Sequence, residues 1–282
     1  MRILIIGGTS SLAHALRPVL SVFAEVITAG RTGCDVHFDL SDQIEEMELP
    51  KDIDVVINTA ANFGVKSFEN MLQTEKVNVL GFLKLCEICN NLQIKQLVQI
   101  SSIYACLDKS SPFYSIYSLS KRHSDEIAEL YSSMFGLPLT ILRPSQFYGV
   151  GETYRKHQPF LFTIIDKAAN DEDILIYGSN DALRNFIHVE DVAQIIALVI
   201  QRKIEGTYAC LNNENVSYSQ VAASAIEVFE SKSIIKFMKE QPDLPNNIFE
   251  PDDSLFRLID YYPQIPISLG MKKEAAYRRM IK

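Results

Sequence analysis

Arg2-Ile3-Leu4-Ile5-Ile6-Gly7-Gly8-Thr9-Ser10-Ser11-Leu12-Ala13 is an apolar run, a turn of small residues and the start of a helical pattern. A continuous apolar run bounded by glycines reads as a strand buried on both faces, as strands of a parallel sheet are. Small residues recur at Gly7, Ser10 and Ala13. In a dinucleotide-binding turn this spacing lets the backbone approach a pyrophosphate seated on the helix N-terminus. Ser10 and Ala13 stand where glycine is more usual, so a purely structural strand–helix turn stays open as an alternative.

Outward from this stretch, β-branched runs at 2–6, 25–29, 36–38, 55–58, 97–100, 139–142 and 174–177 alternate with helical patterns near 10–23, 67–91 and 118–135. Such alternation predicts βαβ units: an α/β fold, a Rossmann-type doubly wound parallel sheet with a smaller C-terminal substrate-binding lobe. Pro18 lies inside the first helical pattern, where proline costs roughly 3 kcal/mol, so a kink or early helix end is expected. Gly136 is a natural stop for the third pattern. The regular alternation fades near residue 150. The expected division is 1–150 as dinucleotide-binding domain, with 174–200 returning to it, and 151–173 with 201–282 as the smaller lobe.

The 282 residues are 47% hydrophobic and 22% charged, with a formal net charge of -8. This is ordinary globular usage, with length for a sizeable core. A nucleic-acid binder would show a basic excess, and none is present. Five scattered cysteines do not form a disulfide framework. Cys86 and Cys89 form a CxxC, but within a helical pattern and without a second pair, so buried thiols are expected and no metal site. The first apolar run is too short for a signal peptide, and the longest, Val192 to Ile200, is about half a membrane span. A cytoplasmic protein with neither membrane nor nucleic-acid partner is expected.

The second strand ends Thr28-Ala29-Gly30-Arg31-Thr32. An NAD binder carries an acid near this point to hold the ribose hydroxyl. Arg31 could instead pair a 2′-phosphate, which favours NADP while leaving NAD possible; a solvated loop arginine is the plain alternative. Tyr117 and Lys121 lie four residues apart, on one face at a helix start. A cation beside a phenol favours phenolate, and the pair can exchange a proton with a carbinol or carbonyl oxygen. Ser101-Ser102, at a strand end, can hydrogen-bond the same oxygen. His188 lies in an apolar stretch and reads as a core histidine.

Taken in order, these residues resemble the extended short-chain dehydrogenase/reductase family, also called the NAD-dependent epimerase/dehydratase family. The resemblance spans Gly7 to Ala13, Phe38-Asp39-Leu40, Asn58-Thr59-Ala60-Ala61, Val77-Asn78-Val79-Leu80-Gly81, Ile100-Ser101-Ser102, Tyr117 with Lys121, Leu142-Arg143-Pro144, Tyr148-Gly149 and Arg184 to Val192. It implies that Gly7, Ser10, Ser11 and Leu12 cradle the pyrophosphate, and that Asp39 and Leu40 border the adenine. Ala60 and Ala61 would line the cofactor channel, and Asn78 would support the active-site water or ribose network. Tyr117 would be the acid/base, Lys121 would bind the nicotinamide ribose, and Ser102 would orient the reacting oxygen. Pro144 and Ser145 would lie beside the nicotinamide amide. Arg184 would grip the diphosphate of a nucleotide-sugar substrate, although Asn185 replaces the usual aspartate; a salt bridge from Arg184 to Glu190 or Asp191 is the structural alternative. The resemblance also implies a homodimer through helices at 67–91 and 118–135, with Leu72, Phe82 or Tyr131 among the contacts.

A dehydratase of this family carries an acidic pair after the strand-end Ser or Thr, where Ile103 and Tyr104 stand here. A 4-epimerase usually has an acid where Arg31 stands. An epimerase-reductase uses a cysteine directly after the paired serines and a histidine in the substrate lobe. His157 fits the second position, but Cys106 is four places past Ser102. The expectation is therefore NADPH-dependent reduction of a 4-keto-6-deoxy nucleotide-diphosphate sugar, with an epimerase or epimerase-reductase as alternative. A non-catalytic NADP sensor is the alternative of a different class, and the retained Tyr117, Lys121 and Ser102 speak against it.

Overall fold

The computed structural model describes residues 1–64 and 66–281, and its chain divides into two compact units. The first contains Met1–Pro144, Ala193–Cys210 and Asp253–Asp260. Its strands are β1 (Arg2–Ile6), β2 (Glu25–Gly30), β3 (Val36–His37), β4 (Val55–Asn58), β5 (Gln96–Ile100), β6 (Leu139–Pro144) and a late strand (Gly206–Cys210) that becomes β11 in chain order. They form one parallel sheet in the order β11-β6-β5-β4-β1-β2-β3. The order reverses direction between β1 and β4, the switch point at which open α/β sheets bind ligands outside the strands' carboxyl ends.

Helices α1 (Ser11–Leu20), α2 (Phe68–Glu75), α3 (Gly81–Asn91) and α4 (Ile116–Phe135) belong to this unit. Pro18 sits in the last turn of α1, which ends two residues beyond it rather than at the proline itself. The 67–91 pattern is one continuous helical stretch with a single π turn, Lys76–Leu80, between α2 and α3. Such turns insert one residue and are frequent at functional sites. Gly136, at φ 74°, closes α4 as the sequence suggests. The core behind the sheet gathers Leu4, Ile6, Val56, Phe82, Leu85 and Ile141. Phe82 and Tyr131 are therefore interior residues, and the expected role for them as intersubunit contacts is corrected. Phe82 on α3 and Tyr131 on α4 lie on the faces these helices turn to the core. Leu72, by contrast, is 56% exposed.

The second unit contains Ser145–Val192, Leu211–Asp252 and Tyr261–Lys282. Three small ladders organise it: β7 (Gln146–Tyr148) with β10 (Phe186–His188), β9 (Leu183–Arg184) with β12 (Val216–Ser217), and β8 (Ile174–Tyr177) with β13 (Ile235–Met238). Helices α5 (Pro159–Ala169), α7 (Tyr218–Phe229) and α9 (Ile267–Met280) accompany them, with α7 packing on both α5 and α9. Helix α6 (Val189–Gln201) crosses from the second unit to the first after its first turn, and α8 (Ser254–Ile259) lies in the first.

These boundaries differ from the sequence division. The 174–177 strand pairs with β13 rather than joining the central sheet, and 206–210 is an edge strand of that sheet. An edge strand is only partly covered; Gly206-Thr207-Tyr208-Ala209-Cys210 accordingly shows no apolar run to betray it. Among the described residues no helix is long and apolar enough to cross a membrane.

Gly81 follows the π turn, opens α3 and packs against the loop that carries Leu40. A Cβ there would lie 2.4 Å from the Leu40 carbonyl oxygen. Alanine for glycine inside a helix ordinarily gains about 1 kcal/mol. Gly81→Ala is expected to lose about 1–3 kcal/mol instead, through overpacking against that carbonyl. Urea denaturation reads the sign, and a stabilised variant would mean that the Leu40 loop gives way freely.

Candidate active site

The site begins where β1 and β4 end. Gly7 adopts φ 77°, and a Cβ on it would stand 2.8 Å from both the Ala60 amide and Thr59 Oγ1. Thr59 Oγ1 donates to the Ile6 carbonyl at 2.8 Å and shares a hydrogen bond with Ser10 Oγ, also at 2.8 Å. Ser10 caps α1 by accepting from the Ala13 amide at 3.1 Å. Ser11 and Leu12 follow in the first turn, with Leu12 buried. The glycine turn and the capped helix start thus stand against the bare backbone of Ala60, at the switch point. This is the arrangement a dinucleotide pyrophosphate requires, so the residues present fit such a group.

Arg31 follows β2 on an exposed loop. Burial pushes the Asp39 carboxyl up, but the amide and hydroxyl of Ser41 and the charges of Arg31 and His37 outweigh it and hold the group low. Arg31, His37 and Asp39 therefore share one local field, with buried Leu40 next to them. Sequence reading did not single out His37; its pairing opposite Gly30 in the β2–β3 ladder is a tertiary fact.

Ala60 and Ala61 are half-buried, and the backbone just beyond them is clamped. Asn78, in the π turn, accepts from the Asn62 amide at 2.7 Å and donates to the Asn62 carbonyl at 2.8 Å. Its Nδ2 also donates to Ser120 Oγ on α4 at 2.9 Å. Asn78 thus holds the loop after β4 to the helix that carries Tyr117 and Lys121.

On α4, Tyr117 is half-buried and Lys121 is only 1% exposed. The Ser102 side chain acts on the Tyr117 phenol, which brings the expected trio's hydroxyls into one neighbourhood. Lys121 Nζ donates to the Ile100 carbonyl at 2.8 Å and lies 5.9 Å from the Tyr117 ring centroid. Desolvation pushes the Tyr117 phenol up and Ser102 pulls it back. In the chain by itself, burial therefore outweighs any lowering by Lys121, contrary to the expectation from their spacing. Burial pushes Lys121 down to about 8, with Asp125 opposing. Phe63 stacks on Tyr117, with centroids 5.0 Å apart and rings 24° from parallel. No sequence spacing signals that contact.

Pro144 ends β6 and is buried. In the second unit, Ser145 is 6% exposed, and its hydroxyl has no hydrogen-bond partner among the described residues. His157 is half-buried, with burial lowering its pKa. Arg184 is buried: Nε donates to Tyr218 Oη at 2.9 Å, and Nη1 donates to the Leu183 and Pro245 carbonyls at 2.8 and 2.7 Å. Its guanidinium lies 4.7 Å from the Tyr218 ring centroid. Asp191 meanwhile accepts from Tyr261 Oη and the amides of Gln264 and Ile265, and Glu190 pairs with Lys273. The acids considered as structural partners of Arg184 are thus engaged elsewhere. His188 is a core histidine, its Nδ1 accepting from the Glu190 amide. Cys86 and Cys89 are buried free thiols, and burial pushes Cys86 up to about 12.

A family model described as NAD dependent epimerase/dehydratase family matches residues 3–210. Protein CapI of Staphylococcus aureus is 26% identical over 270 residues, which cover 84% of this chain and 79% of that protein. The fold matches the crystal structure of UDP-glucuronic acid 4-epimerase from Bacillus cereus in complex with UDP-glucuronic acid and NAD, at TM-score 0.82 and 18% identity over 100% of both chains. It also matches RMD from Pseudomonas aeruginosa complexed with NADPH, at TM-score 0.81 and 14% identity, over 100% of this chain and 99% of that one. Nucleotide-sugar epimerases, dehydratases and reductases all occur among the relatives.

Asn78→Ala removes three hydrogen bonds whose partners are partly or wholly buried. Leaving such groups unpaired costs roughly 1–3 kcal/mol each. The variant is expected to lose at least about 2 kcal/mol and to exchange its Asn62 amide hydrogen faster than wild type. Unchanged exchange at Asn62 would dismiss the clamp.

Proposed function

The chain belongs to the NAD-dependent epimerase/dehydratase family, and from that premise we propose an NADPH-dependent reductase of a keto group on a 6-deoxy nucleotide-diphosphate sugar. The observation that carries this reading is the turn 103–106, directly after Ser102. Ile103 is buried there, and Tyr104 donates its amide to Ser102 Oγ at 3.2 Å and stacks with Phe113. No carboxylate stands where a dehydratase's acidic pair would act. Cys106, the residue an epimerase-reductase would use, is exposed at the end of that turn and receives Arg143 Nη1 at 3.6 Å.

In this reading Gly7, Ser10, Ser11 and Leu12 hold the pyrophosphate, Arg31 the 2′-phosphate, and Asp39 and Leu40 the adenine end. Ala60, Ala61 and Asn78 shape the channel, and Pro144 and Ser145 meet the nicotinamide amide. The bound cofactor supplies the hydride. Tyr117 gives its proton to the carbonyl oxygen, Ser102 donates a hydrogen bond to that oxygen, and Lys121 binds the ribose and leaves positive charge beside the phenol. A phenol pushed up by burial suits an acid that must stay protonated until the oxygen becomes basic. His157 and Arg184 are assigned to the substrate. A guanidinium fixed by Tyr218 and backbone carbonyls offers planar donors to a diphosphate and stays charged at any working pH.

A homodimer belongs to the same proposal. Helices α2 and α4 pack on each other and expose Phe68, Met71, Leu72, Leu130, Met134 and Phe135, a set of apolar side chains that a second copy would cover. Leu72→Glu is expected to turn a dimer into a monomer in sedimentation at micromolar concentration; a wild-type monomer removes this part of the proposal.

Tyr117→Phe is expected to keep NADPH binding and lose roughly a hundredfold to ten-thousandfold in turnover, the usual worth of a general acid. Retention of half the wild-type kcat would reject Tyr117 in that role. Arg31→Ala is expected to weaken NADP by about 1.5–3 kcal/mol and NAD little, the worth of a hydrogen bond to a charged group. Titration with both cofactors separates the cases, and equal weakening of the two would return Arg31 to a solvated loop residue.

A further inference from the structure

Tyr117, Lys121 and Asp125 recur every four residues along α4, so they occupy one face of the helix. The last of the three takes no part in the chemistry described above. Asp125 is 0% exposed. Its Oδ2 accepts from Ser101 Oγ at 2.9 Å and from Arg143 Nε at 2.8 Å. Its Oδ1 is buried and has no hydrogen-bond partner among the described residues. Ser101 immediately precedes Ser102, and Arg143 immediately precedes Pro144, so the carboxylate ties the ends of β5 and β6 to the helix bearing the acid/base pair. Lys121, one turn away, is equally deep, and its ammonium donates to the neutral Ile100 carbonyl.

A buried ammonium whose partner is neutral needs a nearby negative charge to remain ionised. We propose that Asp125 is a positioning residue for Lys121: its carboxylate, fixed by Ser101 and Arg143, is the counter-ion that keeps the Lys121 ammonium charged beside Tyr117. The proposal deepens the Tyr117–Lys121 reading above. Among the neighbouring charged and titratable groups, Arg143 from β6 acts on Asp125, Tyr104 from the 103–106 turn acts with Asp125 on Tyr117, and Cys106 and Glu129 act on Arg143. Asp125 is the acid that acts on Lys121, and it opposes the loss of charge that burial drives. Burial also pushes the Asp125 carboxyl up, and its ion pair with Arg143, the Ser101 hydroxyl and the Lys121 charge work against that rise.

Asp125→Asn tests this, because the amide oxygen can still accept from Ser101 and Arg143 while the charge is removed. The probe is the Lys121 side chain itself, with 13C-labelled lysine titrated by NMR in the substrate-free full chain and the Lys121 signal identified by its loss in Lys121→Arg. The titration midpoint of Lys121 is expected near 8 in wild type. In Asp125→Asn it is expected to fall by about one pH unit, the usual effect of a nearby opposite charge. Asp125→Glu is expected to restore it. If turnover is found, its alkaline limb should move with the midpoint; if no substrate is found, the NMR result still decides. An unmoved Lys121 in folded Asp125→Asn would overturn the proposal, since Asp125 would then be neutral or merely structural. Should that variant not fold, the comparison is Arg143→Gln against Arg143→Gln/Asp125→Asn. The double variant is expected to show the lower midpoint, and equal midpoints overturn the proposal.

Discussion

Thr59 fastens the two innermost strands of the sheet at the point where the winding reverses. Its hydroxyl reaches the end of β1 and the cap of α1 together, through Ile6 and Ser10. Gly7 must then run so close to Ala60 that a side chain is excluded, and the left-handed φ there makes glycine doubly necessary. The turn after β1 and the start of α1 follow from this contact. It sets the helix start against bare backbone, and it fixes the Ala60–Asn62 segment that Asn78, from the π turn, then secures to α4. A polar chain runs on from there: Asn58 donates to Gln99 on β5, and Gln99 to Ser124 on α4. The switch point and the helix that carries Tyr117 and Lys121 are thereby tied through one hydrogen-bonded chain, and under the proposed function such a tie would serve the positioning that proton transfer needs.

How much of this the residues announce depends on the range of the interaction. The 2–13 stretch, the Tyr117–Lys121 pair and the Gly136 stop are local patterns, and each stands where its spacing places it. The doubly wound order follows from βαβ handedness and connection rules applied to those local patterns. What was not legible is non-local. Phe63 stacking on Tyr117 joins residues 54 positions apart without periodicity. Nothing local sets Asp125 apart from another helix acid, because its partners are Ser101, just past β5, and Arg143 on β6. Phe82 and Tyr131 were apolar at helical spacing, which says that a face is buried but not whether the cover is the same chain or another.

Helix α4 brings these themes together, because its polarity is reversed. The face turned inward carries Ser118, Ser120, Lys121, Ser124 and Asp125, all buried, while Leu130, Met134 and Phe135 are more than half exposed. An ordinary surface helix gains its stability by burying its apolar stripe. Here the buried stripe is polar and charged, so it contributes through satisfied hydrogen bonds that roughly offset desolvation instead of a large hydrophobic gain. The helix is held by its two caps, Ser115 and Gly136, by Ala128 and Tyr131 in the core, and by the network to Asn78, Gln99 and Arg143. The cost of burying the site is thus carried by the element that also presents the exposed apolar surface. Covering that surface with a second copy would supply the hydrophobic stabilisation that the inward face forgoes. Under the proposed dimer, association and catalysis would be linked through one helix: the polar face would be given to chemistry because the apolar face would be left for a second copy.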